Sequence, residues 1–143
     1  MRRLVTVGGV LTALACALGW LFLAPTNIGG RTTYVMTHGI SMEPKFHTGD
    51  LAVLYPHSSY HVGEIAAYRS ATLHTVVMHR IVAQDGNSFT FKGDNNSWLD
   101  PDHPTQADIL GSLSFEVPGG ARYINFLHGT EGQAVAGGLL ALL

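Results

Sequence analysis

The chain has an uncharged apolar stretch at each end and, between them, short runs in which apolar and polar residues alternate. The N-terminal stretch covers residues 4–25 and follows Arg2 and Arg3. At a rise of about 1.5 Å per residue, about 20 helical residues span the roughly 30 Å hydrocarbon core of a bilayer. This length predicts a helix that is retained as a membrane anchor. The two arginines predict a cytoplasmic N-terminus, so residue 26 onward is expected on the non-cytoplasmic side.

Two other interpretations of this stretch compete with the anchor. A cleaved signal peptide usually has an apolar core of only about 7–15 residues, which is shorter than the stretch seen here. A lipoprotein signal would use Cys16, but residues 13–15, Ala-Leu-Ala, fit that processing signal poorly. The length of the stretch therefore favours the anchor.

The middle of the chain predicts six short strands separated by turns. The clearest is residues 72–82, which are rich in β-branched residues and lack a helix cap. Asp85 and Gly86 form the centre of a predicted hairpin turn. The remaining strands are predicted at residues 34–37, 51–55, 64–69, 88–92 and 109–117. Short strands with regular turn signals are typical of an all-β domain.

The C-terminal stretch, residues 134–143, is too short to span a bilayer as a helix. We interpret it as the start of a second membrane helix, with an interfacial or a core helix as alternatives. The chain thus divides into an anchor at residues 1–25, a β domain at residues 26–122 and an apolar C-terminal segment at residues 123–143.

Composition excludes several classes of function. The net charge is −2 and no basic cluster follows the first two arginines, so no nucleic acid is expected as a partner. The single cysteine cannot form an internal disulfide or a thiolate zinc site. His57 and His61 are four residues apart but lie in a predicted loop rather than on a helix, so the indication of a metal site is weak. We expect neither a metal nor an organic cofactor.

The stretch "GISMEPKFHTGD", residues 39–50, contains the first candidate for chemistry. Gly39 and Pro44 break regular structure around Ser41, and such a bend can present a hydroxyl outward. An isolated serine in a bend is more commonly an ordinary turn residue. A free hydroxyl is also a poor nucleophile, so Ser41 requires a base nearby.

His79 is the candidate base. Alternation along the predicted strand 72–82 places it on the same face as Thr75, Val77 and Ile81. A half-buried histidine with only a structural role would show the same pattern.

The other candidates lie in the loop "KGDNNSWLDPD", which holds Asp94, Asp100 and Asp102. A carboxylate there could orient the histidine, although such residues often form Asx turns. The lysines, Lys45 and Lys92, precede or follow chain-breaking residues, so a histidine base is favoured over a Ser–Lys pair.

Five short motifs follow one another along the chain: "SMEP" at 41–44, "GD" at 49–50, "VGEIAAYR" at 62–69, "HRIV" at 79–82 and "KGDNN" at 92–96. In this order and spacing they resemble the motifs of type I signal peptidases. They resemble in particular the endoplasmic-reticulum and archaeal branch, which also occurs in some Gram-positive bacteria and has histidine in place of lysine. The resemblance covers about residues 30–118 and the anchor.

The resemblance implies a role for each candidate. Ser41 matches the nucleophile and His79 matches the general base. Asp100 matches the acid that orients the histidine, and Asp94, an acidic residue that the family retains, is the second choice for that role. One position departs from the family pattern: Gly39 stands where a serine hydroxyl often helps to stabilise the oxyanion, so backbone N–H groups are expected to do so here.

The resemblance further implies a mostly antiparallel β domain on a membrane anchor. Its activity would be the endoproteolytic removal of signal peptides from exported preproteins, without a cofactor. The expected partners are preprotein signal peptides and the lipid bilayer, with accessory subunits left open. We expect the cytoplasmic membrane of a prokaryote rather than the endoplasmic reticulum. A Ser–Lys peptidase on a related fold and a catalytically impaired, membrane-anchored β module are the alternatives.

Overall fold

The computed structural model describes residues 2–130. A helix, α1, forms over the N-terminal apolar stretch, and a second, shorter helix, α2, follows the last strand. Between them lie six strands, β1 to β6. The bounds are α1 Arg2–Leu23, β1 Thr33–Met36, β2 Leu51–Tyr55, β3 Ile65–Ser70, β4 Thr75–Asp85, β5 Ser88–Lys92, β6 Ile109–Val117 and α2 Ala121–His128.

The six strands form one sheet in the order β1-β2-β6-β3-β4-β5, and every neighbouring pair is antiparallel. The predicted all-β, mostly antiparallel domain is therefore confirmed for this part of the chain. Strands β2, β5 and β6 have the predicted bounds.

The clearest predicted strand begins later than expected, because residues 71–74 form a turn and β4 starts at Thr75. The carboxylate of Asp102 holds this turn by accepting hydrogen bonds from the hydroxyls of Ser70 and Thr72 and from the Thr72 N–H. These hydrogen bonds lower the pKa of Asp102, the Ser70 hydroxyl being the largest cause. Polar side chains thus override the β propensity of the first residues of the run.

Apolar side chains pack on both faces of the sheet. Along β3, Ala67 belongs to one buried cluster, while Ala66 and Tyr68 belong to the other. Along β4, Met78 joins the first cluster and Ile81 the second. Since neighbouring residues of a strand point to opposite faces, the two clusters lie on opposite sides of the sheet.

The end of α1 is bonded to the sheet by three hydroxyl groups. The Thr32 hydroxyl donates to the carbonyl of Phe22 at 2.8 Å, and the Tyr55 hydroxyl donates to the same carbonyl. The Tyr34 hydroxyl donates to the carbonyl of Leu23 at 2.5 Å. The last carbonyls of a helix have no partner within the helix, so these hydroxyls satisfy groups that would otherwise need water.

Among the residues that the structure describes, no helix is both long enough and apolar enough to cross a bilayer. The membrane anchor therefore stays a prediction. The boundary predicted at residue 122 falls inside α2. The C-terminal residues 134–143, interpreted as the start of a membrane helix, lie outside the described residues.

Candidate active site

The loop between β1 and β2 carries Ser41 and is closed at its base by Thr37 and Asp50. The Thr37 N–H donates to the Asp50 carbonyl at 2.9 Å, and the Gly49 N–H donates to the Thr37 carbonyl at 3.0 Å. Gly49 has a φ of +94°, a backbone conformation that favours glycine. The motif "GD" at residues 49–50 thus closes the loop that holds the serine.

The carboxylate of Asp50 ties this loop to the turn before α2. It accepts hydrogen bonds from the backbone N–H groups of His47 and Gly119, each at 2.7 Å. These two bonds, His47 first, hold the pKa of Asp50 below its usual range, against the opposing effect of burial. Asp50 therefore stays ionised in the folded protein at neutral pH.

Within the loop, two buried apolar side chains that follow Ser41 anchor the bend in the core. Met42 and Phe46 are buried in the core, and the Phe46 N–H donates to the Met42 carbonyl at 3.0 Å. The Glu43 N–H donates to the Ile40 carbonyl at 3.1 Å. Ser41 itself remains half-buried.

The hydroxyl of Ser41 lies 3.0 Å from Nε2 of His79. The other ring nitrogen of His79, Nδ1, lies 2.9 and 2.7 Å from the two carboxylate oxygens of Asp100. A carboxylate accepts hydrogen bonds, so Nδ1 carries the proton and Nε2 is left to accept from the serine. The side chains of His79 and Asp100 are only 12% and 6% exposed, which largely excludes water from this pair.

Two further contacts fix Asp100. Its backbone N–H donates to the carbonyl of Phe91 on β5 at 2.8 Å. The hydroxyl of Tyr68 on β3 donates to the carboxylate oxygen Oδ2 at 2.9 Å. Burial and the neighbouring carboxylate both raise the pKa of Tyr68 far above its usual value. Tyr68 therefore remains a hydrogen-bond donor.

Asp94 occupies a different position. Its carboxylate forms two hydrogen bonds with the guanidinium of Arg80, at 2.8 and 2.6 Å. A third guanidinium nitrogen donates to the carbonyl of Gly63 at 2.7 Å. Pairing with Asp94 raises the pKa of Arg80. The structure thus brings Asp100 to His79, whereas Asp94 pairs with Arg80 and ties β4 to the loop that follows β5.

The motif "KGDNN" also supports the serine through Asn95, a contact that the sequence analysis missed. The backbone N–H of Asn95 donates to the Ser41 carbonyl at 2.8 Å, and its side-chain amide donates to the Ile40 carbonyl at 3.1 Å. The backbone at Gly93 approaches Ser41 so closely that a Cβ on residue 93 would lie 2.7 Å from the Ser41 carbonyl oxygen. Tyr68 was missed as well, since it reads as an ordinary apolar strand residue within "EIAAYR".

A cleft of about 690 Å³ is lined by Ser41, His79 and Asp100, and its walls are mainly apolar. One wall comes from β1 and includes Val35 and Met36, and the other comes from the start of β4 and includes Val76. Trp98, which is 65% exposed, lies at the same cleft. A volume of this size with mainly apolar walls is typical of a ligand-binding cleft.

Neither lysine lies at this cleft. Lys45 forms an ion pair with Glu116 at 3.0 Å, and its side chain is 42% exposed. Gly39 has a φ of +81°, where a serine would be strained, although nothing within 4 Å would block a Cβ. Within residues 2–130, the backbone N–H of Ser41 forms no hydrogen bond.

A family model described as Peptidase S24-like matches residues 12–113 of the chain. The signal peptidase complex catalytic subunit SEC11 of Fusarium vanettenii is 34% identical over a 92-position alignment that covers 54% of each protein. The subunit of the same name from Chaetomium globosum is 35% identical, with the same coverage. The chain thus spans about half the length of the curated relatives that it matches. The resemblance to type I signal peptidases of the endoplasmic-reticulum branch is confirmed.

Proposed function

Since the chain belongs to the Peptidase S24-like family, we propose that it is a serine endopeptidase that removes signal peptides from exported preproteins. The observation that supports the proposal most strongly is the continuous hydrogen-bonded series from the Ser41 hydroxyl through His79 to Asp100. This is the arrangement that activates a serine hydroxyl as a nucleophile.

In the proposed reaction, Ser41 attacks the carbonyl carbon of the scissile peptide bond while His79 accepts the hydroxyl proton at Nε2. Asp100 holds the imidazole in the required tautomer and stabilises the imidazolium. His79 then donates its proton to the leaving amine, and the mature protein departs. A water molecule, deprotonated by His79, hydrolyses the acyl-enzyme and restores Ser41.

The negative charge that develops on the carbonyl oxygen needs donors. The unbonded N–H of Ser41 is the donor we propose, because Gly39 has no hydroxyl to contribute. Loss of one donor from such a site commonly reduces the rate by about 10²- to 10³-fold. We therefore expect this enzyme to depend on its backbone donors.

We also propose that the reaction takes place close to a bilayer, on its non-cytoplasmic side. Residues 26–40 alone separate the predicted anchor from Ser41. Three hydroxyl groups tie the end of α1 to the sheet, which supports a fixed distance between the helix end and the cleft. The cytoplasmic membrane of a prokaryote is the setting we propose, with preprotein signal peptides as the substrates.

The first prediction is that a preprotein presented in detergent is cleaved by the wild-type chain and not by Ser41→Ala or His79→Ala. Each change removes a group that forms or breaks bonds to the transferred proton, so the cleavage rate should fall by about 10³-fold or more. Gel analysis and mass spectrometry of the products would measure the rate and the position of the cut.

Matched controls exist on the exposed loop after β2. Ser59→Ala and His61→Ala remove the same side chains away from the cleft, and both should cleave at the wild-type rate. Lys45→Met and Lys92→Met should also retain activity, which separates this proposal from a Ser–Lys peptidase. If the two single variants Ser41→Ala and His79→Ala both cleaved the preprotein at the wild-type rate, the proposed function would be overturned.

A further inference from the structure

Tyr68 lies beside the proposed catalytic residues without touching the serine. On β3 it is two residues beyond Ala66, which pairs with His79 across the sheet, so Tyr68 and His79 point to the same face. Among the residues that the structure describes, it is the largest fully buried side chain, 1% exposed. Its ring packs on Phe91 with the ring centroids 4.5 Å apart.

Nδ1 of His79 contacts both carboxylate oxygens of Asp100, and the Tyr68 hydroxyl donates to the nearer one. Oδ2 lies 2.9 Å from the phenol oxygen and 2.7 Å from Nδ1 of His79. Two donors therefore share one carboxylate oxygen in a site that is nearly closed to water. A donor that stabilises the carboxylate reduces its tendency to take a proton or to stabilise a positive charge on its other partner.

We propose that Tyr68 is a positioning residue that fixes the Asp100 carboxylate and weakens the hold of the Asp100–His79 pair on its proton. The inference rests on the proposed function for its catalytic meaning. As a consequence, His79 remains free to accept the serine proton at a lower pH than it would if Asp100 received no hydrogen bond from Tyr68.

Other titratable groups face this pair and belong in the argument. Asp102 lies on the same loop as Asp100, close enough to raise the pKa of Tyr68. His38, from the loop after β1, lines the same cleft. Arg80, the next residue along β4, points to the opposite face of the strand and pairs there with Asp94. All of these groups are unchanged by a substitution that removes only the Tyr68 hydroxyl.

The test compares Tyr68→Phe with Tyr60→Phe. Tyr60 belongs to the same apolar cluster and is 2% exposed, but its hydroxyl accepts a hydrogen bond from the His57 N–H and is not in contact with Asp100. Both variants keep the aromatic ring and lose one buried hydroxyl. A merely structural role for Tyr68 would make the two behave alike.

The primary readout is the midpoint of the His79 imidazole titration, followed by nuclear magnetic resonance on the full chain in detergent. A spectrum of His79→Gln assigns the resonance. We expect the midpoint in Tyr68→Phe to move up by about one pH unit, and the midpoint in Tyr60→Phe to stay at the wild-type value. The acidic limb of the pH profile of kcat/KM should move in the same direction. The plateau of that profile should fall by less than about 10-fold, through a lower kcat.

A second variant covers the case in which Tyr68→Phe does not fold. Replacement of Tyr68 by 3-fluorotyrosine retains the shape and makes the phenol a stronger donor, so the midpoint should move down instead. Equal midpoints in wild type and in the folded variants would overturn the inference. Because the titration needs no substrate, a chain that shows the shift but cleaves no preprotein would contradict the proposed function and not the inference.

Discussion

At the scale of single residues, the position of Ser41 depends on a loop distant in sequence. Asn95 donates to the carbonyls of Ser41 and Ile40, and Gly93 allows the two backbones to approach. The bend at residues 39–44 therefore has its shape fixed from outside as well as by its own glycine and proline. A nucleophile needs this support because small misplacements of the hydroxyl reduce the rate strongly.

This arrangement predicts that Asn95→Ala lowers kcat by about 10-fold while KM changes little, because the substitution removes the bond to the Ile40 carbonyl but leaves the cleft unchanged. Asn95→Asp should be at least as impaired, since a carboxylate would face a carbonyl oxygen. Steady-state kinetics on a preprotein would measure both, with the hairpin variant Asn87→Ala as a control of unchanged activity. Full activity in Asn95→Asp would contradict the supporting role.

Sequence reasoning reached part of this site and missed the rest for a physical reason. Alternation along the strand placed His79 on the face of Val77 and Ile81, because a period of two is a local property. The contact of Tyr68 with Asp100 joins positions 32 residues apart and has no local pattern. A buried tyrosine in a strand looks like any other core residue until its hydroxyl has a partner.

At the scale of elements, Asp50 joins the loop that carries Ser41 to the turn between β6 and α2. Its two backbone donors, from His47 and Gly119, lower its pKa below the usual range. A group whose pKa is lower in the folded state contributes stability above its unfolded pKa of about 3.9, and this contribution is lost as the pH falls through the folded value.

We therefore predict that Asp50→Asn reduces the free energy of unfolding by about 1–3 kcal/mol at pH 7. The difference between wild type and variant should shrink as the pH falls below about 4, where the wild-type carboxylate takes up a proton. Urea denaturation of the chain in detergent, from pH 7 to pH 3, would measure it. A difference that stays constant over this range would contradict the role given to the ionised carboxylate.

The elements themselves were predictable where strong terminators bound them. Pro56 ends β2, Gly93 follows β5 and Pro118 follows β6, and these three strands have the predicted bounds. The predicted start of β4 was wrong because Asp102, about 30 residues away, holds residues 71–74 in a turn. Helix α2 was not predicted, since eight residues carry too little periodic signal.

At the scale of the whole molecule, the site exists only because three distant parts of the chain converge. Ser41 comes from the loop after β1, His79 from β4 and Asp100 from the loop after β5. Serine and histidine are 38 residues apart, and histidine and aspartate 21. Strands β1 and β4 stand four places apart in the sheet order, yet both contribute residues to the same cleft.

The most direct test of the central claim is to treat the folded chain with a serine-directed fluorophosphonate and to locate the adduct by mass spectrometry. The proposed activation of the Ser41 hydroxyl by His79 predicts one adduct, on Ser41. This adduct should form much more slowly in His79→Ala and be absent from Ser41→Ala. The exposed Ser59 should remain unmodified under the same conditions. Equal labelling of Ser41→Ala and wild type, or labelling of Ser41 that is unaffected by the loss of His79, would contradict the account.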